Sequence, residues 1–143
     1  MPSGGAAVEV ALMSPWLFLL FIAVFDFGFY GYAAITTANA ARVAALWTSS
    51  DPGRANPADA NNVTYLHQLV AEEMASLPNT RSLVGSPAYS YPPLSVSMAL
   101  GAEPEGEQTS IVTVRYQTVP LFPLPWLRGQ FEITRLARMR VRR

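Results

Sequence analysis

The chain has 143 residues, half of them hydrophobic, with ten acidic and ten basic residues and no cysteine. That length holds one modest domain and an anchor. The balanced charge gives no reason to expect nucleic acid, and the lack of thiols excludes disulfides, thiol catalysis and cysteine-ligated metal. All ten basic residues are arginine; six fall between positions 128 and 143, while Glu103, Glu105 and Glu107 share one loop.

Residues 1–7 form a short leader-like segment. It carries no Lys or Arg, unlike the n-region of a secretory signal. The apolar stretch behind it has sixteen uncharged residues between Glu9 and Asp26 and fifteen more between Asp26 and Arg42. Such a run exceeds a signal core and predicts a retained membrane anchor. About 20 residues at about 1.5 Å each cross the hydrocarbon core. A start near Val8 therefore puts the far boundary among Phe25, Phe27, Phe29, Tyr30 and Tyr32, where an interfacial aromatic belt belongs. Asp26 then lies near the outer boundary. Pro15 predicts a kink inside the span.

The helical pattern continues through 33–47, which has neither Pro nor Gly and is rich in Ala, the best helix former. Gly31, Ala34, Ala38, Ala41 and Ala45 recur at three- and four-residue spacing, a face suited to close approach by another subunit's helix. The run Thr48, Ser49, Ser50, Asp51, Pro52, Gly53 ends it. The second unit, 8–50, is thus read as a transmembrane helix with an extracytoplasmic stalk.

The third unit, 51–143, is read as a small outer domain. Asn61 or Asn62 is expected to cap a second helix, with Val63, Leu66, Leu69, Val70 and Met74 on its apolar face and Leu77-Pro78 closing it. Alternating patterns predict strands at 94–100, 111–116 and 131–141, the last with Phe131, Ile133, Arg135 and Ala137 on one face. The acidic 101–108 stretch is expected to join the first two as a hairpin. Pro120, Pro123 and Pro125 make 119–126 an extended apolar connection. The fold class is α+β: a long N-terminal transmembrane helix, one further helix and an antiparallel sheet of about three strands.

No catalytic set stands out, and no enzyme activity, cofactor or metal is expected. His67, the single histidine, reads as a surface residue. Glu72 and Glu73 diverge by about 100° on a helix, a poor metal pair. Glu103, Glu105 and Glu107 read as a solvated loop before a calcium site, Asn62-Val63-Thr64 is a glycosylation sequon of little weight, and the aromatics at 25–32 read as a belt before a pigment or quinone contact. Glu9 has two readings: a partner for the positive helix N-terminus, or a pair with a positive group of a neighbouring subunit. Asp26 is either hydrated at the interface or paired across subunits.

Gly4-Gly5-Ala6-Ala7-Val8-Glu9 ahead of an apolar helix resembles the processing site of type IV-like prepilins, in which a peptidase cuts after a glycine and leaves glutamate at the fifth mature position. Cutting between Gly4 and Gly5 puts Glu9 there. More narrowly, the chain resembles TadE-like pseudopilins. The likeness continues through Pro15, Asp26-Phe27-Gly28 and Asn39-Ala40-Ala41-Arg42-Val43-Ala44, and in layout through the closing strands and Ala137-Arg138-Met139-Arg140. Val10 stands where an aromatic is usual, and the leader is short. The resemblance implies a bacterial inner-membrane protein, N-terminus cytoplasmic and C-terminal domain periplasmic. Its role is that of a non-enzymatic pseudopilin or assembly component of tight-adherence pili, acting through helix packing. The implied partners are the lipid bilayer, other membrane subunits and a prepilin peptidase, with Glu9 neutralising a neighbour's freed α-amine. The alternative is an uncleaved TadE-like accessory subunit stabilising a larger membrane complex, for example a respiratory or photosynthetic one.

Overall fold

A single helix, α1 (Gly4–Ser49), runs for 46 residues, about 69 Å at the α-helical rise. The computed structural model describes residues 4–102, 106–120 and 130–142. The helix begins four residues before the predicted start at Val8 and continues through Pro15. Proline has no N–H for the carbonyl four residues back, which here belongs to Ala11. The Ser14 hydroxyl donates to that carbonyl at 3.1 Å, so the orphaned acceptor is satisfied locally, as an apolar surrounding demands. At the other end the Ser49 and Ser50 hydroxyls donate back to Leu46 and Trp47. The Asp51 carboxylate accepts from the Gly53 N–H at 2.7 Å and turns the chain.

Helix α2 (Ala60–Glu73) is capped by Asp59, whose carboxylate accepts from the Asn61 N–H at 2.9 Å. The expected caps, Asn61 and Asn62, lie instead inside its first turn, and the Asn62 amide donates to the Gly53 carbonyl. Leu66, Val70 and Met74 are buried as the spacing predicts, and Leu77 joins them. Trp47 of α1 and Tyr65 of α2 bring their rings to 4.8 Å.

The three strands are β1 (Leu94–Ala102), β2 (Gln108–Gln117) and β3 (Glu132–Arg140), in the order β1-β2-β3 and antiparallel throughout. Leu94 pairs with Tyr116, and Tyr116 with Ile133. One face of β2, made of Ser110, Val112, Val114 and Tyr116, is fully buried. Against it lie Ala33, Ala40, Ala41, Ala44 and Ala45 of α1 and Leu66, Val70, Met74 and Leu77 of α2, one continuous core. The second half of α1 is therefore built into the outer domain, which has helices on one face of the sheet only. The domain is α+β, as the element order implies.

Strand β3 runs alongside α1 in the same direction. At its start Phe131 meets Tyr30 edge-to-face at 5.5 Å, and past its end the Arg142 N–H donates to the Ser49 carbonyl at 2.9 Å. Of the face expected for β3, Ile133 is buried and Ala137 half-buried, while Phe131 and Arg135 are exposed. Position explains the difference in burial: β3 is an edge strand, and Arg135 opens into a groove beside Ala38 and Arg42. In the acidic loop Glu107 pairs with Arg140, whereas Glu103 and Glu105 lie outside the described residues. Of the proline-rich connection, Val119 and Pro120 are half-buried, and 121–129 lies outside the described residues.

Candidate functional site: an apolar helix half without an intrachain partner

Every residue from Gly5 to Phe21 is exposed. Trp16, Leu17, Phe18, Leu20 and Phe21 all project outward. Among the described residues α1 is the one helix long and apolar enough to cross a membrane. The core helix of a soluble protein would be mostly buried, whereas residues 5–21 are exposed throughout. A contiguous apolar surface of this extent requires lipid or a protein partner.

Both acidic residues singled out in the sequence sit on this half. Glu9 is exposed one turn into the helix, and Asp26 is half-buried. Neither is in an ion pair among the described residues. The predicted processing junction, Gly4 and Gly5, lies at the helix's N-terminal end.

The small-residue stripe divides. Ala41 and Ala45 are fully buried against the chain's own sheet, while Gly31, Ala34 and Ala38 are half-buried. The close approach that small side chains permit is made, at the upper positions, by a strand of the same chain. The seam there ends in a buried hydrogen bond between the Thr48 and Ser110 hydroxyls, 2.6 Å. Lower down, a methyl group built on Gly28 or Gly31 meets nothing within 4 Å. Their small size serves no contact among the described residues.

Residues 4–46 match the model of the TadE-like protein family. The matched segment is nearly all of α1 and includes neither α2 nor the sheet. It contains Gly4, Gly5, Glu9, Asp26-Phe27-Gly28 and the Asn39–Ala44 stretch that carried the resemblance. The apolar helix that it covers has the length and composition of a membrane span. No curated protein and no solved structure matches the chain.

Two polar clusters in the outer domain escaped the sequence reading. His67 is half-buried and not a plain surface residue: its ring stacks on Tyr89 at 4.7 Å, and its Nδ1 is buried without a partner. Burial lowers its pKa below 6.5, partly offset by the Val96 backbone. The Tyr89 hydroxyl donates to the His67 carbonyl at 2.8 Å, and burial raises its pKa strongly. The Tyr116 hydroxyl, whose pKa burial pushes up to about 12, donates to the Asn79 side chain at 2.7 Å. On the open face of the sheet Arg115 makes two hydrogen bonds to Glu132, at 3.2 and 2.9 Å, with the Tyr91 ring 4.8 Å from its guanidinium carbon. The Tyr91 hydroxyl also donates to Glu132 at 3.0 Å. Bonding to Arg115 holds the Glu132 carboxyl below its ordinary range. No group of three metal-ligating side chains occurs among the described residues. Glu132 lies 17 positions from Arg115 and 41 from Tyr91: the β2–β3 register brings the first pair together, and the turn before β1 brings Tyr91.

Proposed function

We propose that the chain is a non-enzymatic, single-span membrane subunit of the TadE-like, tight-adherence-pilus type. On this reading the first half of α1 crosses the inner membrane from a cytoplasmic N-terminus, and the outer domain stands in the periplasm. Neighbouring subunits pack on the helix near Gly28, Gly31 and Asp26, and Glu9 pairs with a neighbour's positive group. The observation that supports this most directly is the division of α1. The stretch from Gly5 to Phe21, exposed throughout, lies wholly within the TadE-like segment. Gly28 and Gly31 further along each cost a helix about 1 kcal/mol relative to alanine, and no contact among the described residues uses the space they leave.

The chain has no cysteine, so single introduced thiols report cleanly on contacts. Gly31→Cys should give disulfide-linked subunit pairs on mild oxidation in native membranes, and Ala23→Cys fewer. Gly31→Leu should reduce incorporation into the assembly while the protein stays membrane-bound. Equal cross-linking at both sites, with full assembly of Gly31→Leu, would refute the packing face. Intact-mass measurement of the membrane-extracted protein tests processing: a mass lacking residues 1–4 supports cleavage between Gly4 and Gly5. A full-length mass removes cleavage and leaves the uncut accessory-subunit role.

A further inference from the structure

Burial along α1 begins earlier than the outer domain's alanine seam. Ile22 is only 6% exposed, four residues before Asp26, although Phe18, Leu19 and Phe25 around it remain open. Eight residues further along, Tyr30 meets Phe131 of the outer domain, rings 5.5 Å apart, and Phe131 is still 54% exposed. Tyr30 stands four residues beyond Asp26, about 6 Å along the helix. The headgroup layer on each side of a bilayer is about 5–7 Å thick. With Asp26 at the hydrocarbon edge, Phe131 is held at headgroup height.

The chemistry of this end of the sheet suits that depth. Its outward charges, Arg115 and Glu132, neutralise each other through two hydrogen bonds, with the Tyr91 ring against the guanidinium and its hydroxyl on the carboxylate. At the far end of β3, Arg138 and Arg142 have no carboxylate partner among the described residues. Self-paired charge beside an exposed phenylalanine and two half-buried tyrosines is what an interface of falling dielectric tolerates. The strand ends also converge here. Gln117 donates to the Pro93 carbonyl and Thr118 to the Phe131 carbonyl, so Pro93, Thr118 and Phe131 share one rim.

We propose that this rim, presented by Tyr30, Phe131 and Tyr91, is seated in the headgroup layer of the bilayer that α1 spans. The outer domain then rests on the membrane at a fixed height and does not hang from a free stalk. The surface continues the membrane span itself, which is why lipid is its partner. The inference rests on the anchor reading of α1, and its test separates the two.

Single cysteines at Leu19, Gln130, Phe131 and Leu100 are spin-labelled one at a time in the full chain, reconstituted into phosphatidylcholine vesicles. Collision rates with oxygen and with a water-soluble nickel chelate then give depth. The label at position 19 should read hydrocarbon and that at 100, on the far end of β1, should read water. Labels at 130 and 131 should collide with the chelate several-fold less often than the label at 100, with intermediate oxygen access. If 19 reads hydrocarbon while 130 and 131 match 100, the rim is in water and the inference is overturned. If 19 itself reads water, the anchor reading falls. The label at Gln130, an exposed position beside Phe131, guards against local disruption at 131.

Discussion

The two halves of α1 share one helical geometry, yet they meet opposite surroundings. Between Gly5 and Phe21 every residue is exposed, whereas Ala33, Ala40, Ala41, Ala44 and Ala45 are sealed beneath the sheet. Side-chain size tracks the difference. The outward half carries Trp, Leu and Phe, which suit lipid; the buried half carries alanines, which let a β-strand approach the helix backbone. An exposed apolar stretch and part of a domain core are thus made from one uninterrupted helix.

Ala44→Leu should break that division most severely. A leucine has no room at a position fully buried against the sheet, and overpacking of this kind costs about 3 kcal/mol. At about 4–8 °C per kcal/mol for a domain of this size, thermal unfolding by near-UV circular dichroism in micelles should drop well over 10 °C. Ala23→Leu, on the exposed half, should leave the transition unmoved. Equal effects would dissolve the contrast between the halves. Thr48→Val is the next largest. It keeps the volume but strips the Ser110 hydroxyl of its buried 2.6 Å partner, at about 1–3 kcal/mol.

The folded chain resists protonating His67, so below about 6.5 the unfolded state binds more protons and stability falls as pH falls. The pKa of Glu132 is lowered from 4.5, so its contribution is lost only further down, and the interval between the two belongs to His67. The melting temperature should decline from pH 7 to pH 5, and His67→Gln should flatten that slope. A wild-type profile flat across the interval would show that the Nδ1 finds a partner in solution.

Much of the fold was legible because each element has its own period. Leu94, Val96 and Met98 alternate with Ser95, Ser97 and Ala99, and the observed strand extends the predicted one by two residues. Leu66, Val70 and Met74 marked the buried face of α2. What lies against the alanine face of α1 was not legible, since small residues at three- and four-residue spacing admit a strand as readily as a second helix. The cap of α2 was ambiguous because Asp59, Asn61 and Asn62 all suit the role. Local turn geometry decides it: the Asp59 N–H donates to the Asn56 carbonyl at 3.3 Å and leaves its carboxylate facing Asn61. His67 looked exposed because its cover, Tyr89, arrives from 22 residues away. Of the candidate site, the exposed span and Glu9 were readable from charge spacing alone, while the rim by Tyr30 depends on where β3 begins.

The smallest expected effect lies at that rim. Arg115 and Glu132 are about half-exposed, and ion pairs so hydrated add little to stability. Glu132→Gln should therefore move the melting temperature less than either core substitution. Its contribution has a definite sign with pH: the carboxyl is held below its ordinary range by Arg115, so the pair acts at neutral pH and is lost as acidity protonates Glu132. A double-mutant cycle with Arg115→Gln isolates the coupling. Measured in vesicles and again in micelles, it should be larger in vesicles, where the headgroup layer replaces water around the pair and strengthens attraction between its charges. Equal coupling in both would mean that Arg115 and Glu132 remain in bulk water, and that their pairing answers only to strand register.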